Sequence, residues 1–290
     1  MIPDFEHHAP KTVKEALALL DKYQDEYKII GGGQSLLILI RQGLVDPGNL
    51  IDIKRISELN YIKYEASRLK IGALTTHRAI EKSAAIKKNF PVLAEMEQRL
   101  ASIQTRNWGT IGGNICHGDP AGDPAPVLIA LGATLTKAST RGQDTMPIED
   151  FFLDYFETAL EPGEMLTEIQ VPPPAPHTGT AYTKFNIIHS DMATVGVAVA
   201  ITLAPGDGVA SDVRIALGAA APTPMRAEKA EESLKGKKIT DDRLATAGEI
   251  AATEANPISD IHASDEYRRE LVKVLVRRVG KEALARAKQG

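Results

Sequence analysis

Residues 172–179 read P-P-P-A-P-H-T-G, and no regular element can run through them. Proline has no N–H to donate and holds φ at about −65°, so four prolines in five positions exclude a helix interior and a central strand alike. The chain has 290 residues and 43% hydrophobic content, enough to build a core on each side of the break. The run therefore reads as a domain boundary between residues 1–176 and 177–290. The first part is expected to divide again, into lobes of about 1–58 and 59–176.

The two sides differ in texture. In the first, K-T-V-K-E-A opens a helix, with Thr12 as N-cap, Glu15 three residues later, and Val13, Ala16, Leu17 and Leu20 as one apolar stripe. Residues 28–30, 50–53 and 165–171 read as strands, 61–65 and 68–72 as a hairpin, and 76–83 and 90–100 as helices. Regular alternation of strand and helix, as in a doubly wound parallel sheet, is missing. In the second part, 181–186, 195–203 and 209–217 alternate like antiparallel strands, followed by helical patterns over 227–234, 241–254 and 267–288. The expected class is α+β, with a three-stranded antiparallel sheet and helices at the C-terminal end.

Composition excludes several functions. A net charge of −4 offers no basic excess for nucleic acid. No apolar run approaches the ~20 residues of a membrane helix, and Val195–Ala204 reads instead as a buried strand. Cys116 is the only cysteine, so this chain forms no intrachain disulfide and holds no cluster by thiolates. It reads as a small buried filler. The N-terminus lacks the basic start and apolar stretch of a signal peptide, so a cytoplasmic protein is expected. No metal site is expected near Cys116, His117, Asp119 and Asp123, because no second ligand pair stands at coordinating distance in sequence. No G-x-S-x-G elbow is present, and no catalytic acid, base or nucleophile is assigned.

Two glycine-rich stretches remain. The first is I-G-G-G-Q-S-L-L, residues 30–37, set between apolar runs. Glycine lets successive N–H groups converge on an anion, and Gln34 and Ser35 add side-chain donors, Ser35 also being placed to cap the apolar stretch after it. Standing alone, such a triplet reads better as a packing-forced turn, and it matches neither the Rossmann nor the Walker fingerprint. The second is T-R-N-W-G-T-I-G-G-N, residues 105–114, where the Thr110 hydroxyl, the Gly112 and Gly113 amides and the Asn114 side chain form another row of donors. Trp108 is expected in the core. In G-D-P-A-G-D-P-A-P, residues 118–126, Asp119 and Asp123 each precede a proline; each fits a bond to a cofactor hydroxyl or an Asx-turn.

These three motifs together resemble the flavin loops of the FAD-binding, or medium, subunit of molybdenum hydroxylases. That family includes the medium subunits of CO dehydrogenases and of quinoline, nicotinate and aldehyde oxidoreductases, and the central domain of xanthine dehydrogenase. The likeness runs from Ile2 to about Ala287 and includes P-D-F-E-H-H-A-P at the start, E-M-L-T-E-I-Q-V-P at 164–172 and S-D-I-H-A-S-D-E-Y-R-R at 259–269. It implies a two-lobed FAD domain of the vanillyl-alcohol-oxidase (PCMH) type followed by the C-terminal α+β domain. It implies that Gly31, Gly32, Gly33, Gln34 and Ser35, with Thr110, Gly112, Gly113 and Asn114, hold the FAD diphosphate. Asp123 would bond a flavin-side hydroxyl, Leu166 would touch the cofactor by its backbone, and Lys184 in Y-T-K-F would sit at the flavin's pyrimidine edge.

The implied role is electron transfer from two [2Fe–2S] clusters on a small partner chain through FAD to an external acceptor. Molybdopterin would sit on a large partner chain, and the whole would be a dimer of heterotrimers. A self-contained flavin oxidoreductase of the same fold is the alternative, and an interaction module with a vestigial flavin fold is a third reading. This chain departs from the family at Ile187-Ile188-His189, where relatives carry a basic pair, at Met192, where many carry an aromatic, and at Trp108, where a basic residue is common.

Overall fold

The computed structural model of the chain describes every residue except Met1, Ile2, His189, Asp207 and Gly290. The N-terminal segment places β1 (Glu6–His8), α1 (Val13–Tyr23), β2 (Tyr27–Ile30), α2 (Leu36–Arg41) and β3 (Asn49–Asp52). The strands pair in parallel in the order β1-β3-β2. Thr12 caps α1 by accepting from the Glu15 N–H at 3.1 Å, and Glu15 reaches back to the Lys11 N–H at 2.7 Å. Ala16, Leu17 and Leu20 pack from that helix against Ile51, Ile53 and Ile56.

The middle of the chain builds an antiparallel sheet around a helical insert. Its strands are β4 (Ile62–Glu65), β5 (Arg68–Gly72), β6 (Thr134–Ser139), β7 (Gly142–Pro147) and, after the short hairpin β8 (Phe152–Asp154) and β9 (Glu157–Thr158), β10 (Met165–Val171). The order is β4-β5-β10-β6-β7. Between β5 and β6 run α3 (His77–Lys82), α4 (Ala84–Asn89), α5 (Pro91–Arg99), α6 (Ile103–Trp108), α7 (Ile111–His117) and α8 (Pro124–Ala130). The glycine- and proline-rich stretch over 105–126 is thus largely three short helices. Pro124 is tolerated because it stands at the start of α8, where its missing N–H costs nothing.

After the proline run, β11 (Thr178–Phe185), β12 (Val195–Leu203), β13 (Ala210–Gly218) and β14 (Met225–Arg226) form an antiparallel sheet in chain order. The sheet therefore has a strand beyond the three expected; β14 is two residues long and too short to show a period. Helices α9 (Glu228–Leu234), α10 (Asp241–Glu254) and α11 (Asp265–Ala287) cover one face. Val197, Val199 and Ile201 of β12 face these helices, while Ala198 and Ala200 turn to the other face and join the core of the middle segment with Tyr182. That shared core is what holds β12 and β13 against α8 and β11 against α5, and so positions the candidate site. No described helix is long and apolar enough to cross a membrane.

Candidate functional site

The first glycine stretch leaves β2 and turns into α2. Gly33 sits at φ 73°, which makes the turn. Gly32 is glycine for another reason. A Cβ there would stand 2.2 Å from the Trp108 carbonyl oxygen and 2.7 Å from Gly109 Cα. The two glycine-rich segments, some 75 residues apart in sequence, therefore touch backbone to backbone. A Cβ on Gly31 would lie 3.1 Å from Thr110 Oγ1. The Gln34 side chain donates to the Gly32 carbonyl at 3.2 Å. Ser35 precedes α2 but makes no capping hydrogen bond, contrary to expectation. Among the described residues, none of the N–H groups of Gly31, Gly32, Gly33, Gln34 and Ser35 finds a protein acceptor.

The second segment is anchored to the turn after β5. His77 N–H donates to the Gly109 carbonyl, Ile111 N–H to the Thr75 carbonyl and Gly112 N–H to the Ala73 carbonyl, each at 3.0 Å. The Gly113 N–H donates to Thr110 Oγ1 at 3.1 Å, capping α7. The amides of Gly112 and Gly113 are thus engaged inside the protein. The donors left over are the Thr110 N–H and O–H and the half-buried side-chain amide of Asn114, none of which has an acceptor among the described residues. Trp108, expected in the core, is 65% exposed, because it ends a short surface helix and turns its carbonyl, not its ring, toward Gly32.

The acidic turn resolves into two different arrangements. Asp119 forms an Asx-turn, accepting from the Ala121 N–H at 2.9 Å. Asp123 is buried and faces β11, where Tyr182 O–H donates to Oδ1 and Lys184 Nζ to Oδ2, both at 2.6 Å. Lys184 also donates to the Asp191 carbonyl at 2.9 Å. Burial pushes the Asp123 carboxyl up against the opposing pull of Lys184. Burial, then Asp123, raises the Tyr182 hydroxyl. Leu166 is buried in β10, with its backbone against the Cys116 sulfur. Burial holds the Cys116 thiol at about 12, as suits a filler.

The loop after β11 carries Ile187, Ile188 and Met192, all exposed; His189 lies outside the described residues. Arg268 of α11 ties that loop down. Its guanidinium donates to the Thr194 carbonyl and, at 2.7 Å, to Asp260 of the S-D-I-H-A-S-D segment.

Sequence reasoning missed two groups. Tyr182 stands two residues before Lys184 on one strand, so both must point to the same face; that spacing was the available signal. His77 and Glu97 form a buried pair, Nδ1 to Oε2 at 2.9 Å, next to the second segment. They stand twenty residues apart, on α3 and α5 with α4 between, and no local pattern announces the pairing.

A row of free N–H groups, a hydroxyl and a carboxamide at the meeting of two segments suits a diphosphate, whose oxygens only accept. Comparison with known proteins gives the family. Residues 3–174 match the family profile "FAD binding domain in molybdopterin dehydrogenase", and residues 180–283 match "CO dehydrogenase flavoprotein C-terminal domain". The carbon monoxide dehydrogenase medium chain of Hydrogenophaga pseudoflava is 38% identical over 284 residues, covering 98% of each chain. The nicotine 6-hydroxylase medium subunit of Paenarthrobacter nicotinovorans is 35% identical over 98% of this chain and 99% of that one. Among solved structures, carbon monoxide dehydrogenase from H. pseudoflava matches with a TM-score of 0.95 at 40% identity over 99% of each chain. Quinoline 2-oxidoreductase from Pseudomonas putida 86 matches with a TM-score of 0.92 at 33% identity, also over 99% of each. Loops, profiles and full-length relatives converge: this chain belongs to the family of FAD-binding medium subunits of molybdenum hydroxylases, and is an oxidoreductase flavoprotein subunit.

Proposed function

We propose that the diphosphate of FAD lies between residues 31–35 and 110–114, and that the chain passes electrons from an iron–sulfur partner to an external acceptor. The observation that carries the reading is the row of N–H groups from Gly31 to Ser35, without protein acceptors among the described residues and in backbone contact with Gly109. In this reading those N–H groups, the Thr110 hydroxyl and the Asn114 amide bind the diphosphate. Gly112 and Gly113 shape the second segment rather than donate to it. Asp123 offers its remaining lone pairs to a hydroxyl on the flavin side, and Leu166 contributes a backbone contact.

Bound FAD supplies reversible redox chemistry at its ring. Lys184, fixed between Asp123 and the Asp191 carbonyl, would favour negative charge on the pyrimidine side of a bound flavin. No side chain of this chain is assigned a proton-transfer step. The likeness to medium chains supports a large partner holding molybdopterin and a small partner holding two [2Fe–2S] clusters, assembled as a dimer of heterotrimers. It also supports a PCMH-type architecture for residues 1–176.

Titration of the purified chain with FAD tests the site: one FAD per chain is expected, and a chain that stays colourless overturns it. The electron route is tested in the assembled complex. Substrate should reduce the flavin only when the small chain is present, and flavin reduction without that chain overturns the route.

A further inference from the structure

The stretches of the two segments that carry the donors hold no cation. Residues 31–35 and 109–114 contain no lysine, arginine or histidine, so uncharged donors alone would face a doubly charged diphosphate. A candidate for a counter-charge touches the second segment at Gly109. His77 is 2% exposed and Glu97 fully buried. His77 Nδ1 stands 3.0 Å from Glu97 Oε1 and 2.9 Å from Oε2. With Nδ1 as the donor, both Glu97 carboxylate oxygens accept from it. The opposite edge of the ring faces the loops. A Cβ on Gly109 would lie 3.1 Å from His77 Cδ2 and 3.5 Å from Gln34 Cγ, which puts this ring edge where the two segments meet. Nε2, bonded to Cδ2, has no protein partner among the described residues.

We infer that His77 is the counter-charge for the cofactor's diphosphate: Glu97 fixes Nδ1, and Nε2 takes up a proton from solvent and donates it in a hydrogen bond toward the anion. The inference rests on the reading of the two segments as the FAD site. The other charges around the pair are few. Asp123 at the head of α8 acts on both His77 and Glu97, and is itself bonded to Lys184. Arg106 of α6 acts on Glu97 but is held by Glu81 and the carbonyls of Leu100 and Ala101. Burial pushes the Glu97 carboxyl up, and His77 is the leading influence that opposes it. A proton taken up at Nε2 on binding would face the diphosphate on one side of the ring and Glu97 on the other.

The test is calorimetric titration of the flavin-free full chain with FAD, in buffers of different ionisation enthalpy. The series runs from about pH 5 to 9, which spans imidazole titration. The expected result is fractional proton uptake on binding and affinity that falls as pH rises. The doubly substituted His77→Gln/Glu97→Gln chain replaces the charged pair with a neutral one of similar shape, avoiding the orphaned carboxylate that His77→Gln alone would leave. In it, uptake and pH dependence should vanish and Kd should rise about tenfold to a hundredfold, the loss of one charge-assisted hydrogen bond. Wild-type binding with neither proton uptake nor pH dependence overturns the inference while leaving the FAD site intact. So does a double variant that binds like wild type. A wild-type chain that ignores FAD at every pH removes the loop reading and the inference with it.

Discussion

Lys184 Nζ lies 2.6 Å from Asp123 Oδ2, with the two side chains 4% and 6% exposed. An ion pair so far out of water is costly to break on one side only, since the survivor is left charged and buried. Lys184→Met should destabilise the chain by about 3–5 kcal/mol. Chemical denaturation followed by circular dichroism measures it. Removing both charges, as Lys184→Met with Asp123→Asn, should recover much of the loss, and no recovery would mean that the pair is not coupled.

Gly32 offers a sharper test of the segment contact. Any side chain there collides with the Trp108 carbonyl, so even Gly32→Ala must push the segments apart. Overpacking of this kind costs about 1–3 kcal/mol. The expected outcome is a folded chain with weakened FAD binding, read from flavin absorbance after gel filtration. Full flavin content in Gly32→Ala would show that the segments need not touch.

Thr110 has two tasks: its oxygen caps α7 through the Gly113 N–H, and its O–H is one of the free donors. Thr110→Val should cost about 1 kcal/mol in stability, the usual loss of an N-cap, and should weaken FAD binding as well. Thr110→Ser should restore both. Equal FAD affinity in the valine variant would remove the hydroxyl from the site.

Cys116 supplies a pH signature. Its thiol is raised by burial from 9.0 to about 12. A group whose folded value is raised stabilises fully below its unfolded value, and that contribution is lost as pH climbs through the folded one. Stability contributed by Cys116 should therefore be whole below pH 9 and drain away toward pH 12. Alkylation by iodoacetamide at neutral pH should be negligible in the native chain and fast in denaturant. Rapid native labelling would place the thiol in solvent.

Much of the fold was legible in the order of residues alone. The helix over 241–254 and the strand over 165–171 fall where their periodicity put them, because each buries a regular face of one core. The helices between residues 103 and 130 were hidden, since glycine and proline normally argue against helix. α7 survives its glycines because backbone bonds to Ala73 and Thr75 hold its first turn in place. The two glycine segments were readable as anion-binding candidates, but which amides remain free is a tertiary fact. Gly112 and Gly113 spend theirs on a carbonyl and a hydroxyl that no local pattern predicts. Trp108 misled for a similar reason: large aromatics favour burial, and its placement comes from where its carbonyl had to go.

The contact between Gly32 and Gly109 has a temporal meaning too. One segment grows out of the N-terminal parallel sheet, the other is pinned to the turn after β5, and neither half is a grip by itself. If FAD binds between them as proposed, cofactor capture would wait until those two layers have docked, and yellow colour would be a clock for late assembly. A substitution that slows docking without altering the final contact would delay the colour, yet leave its end point unchanged.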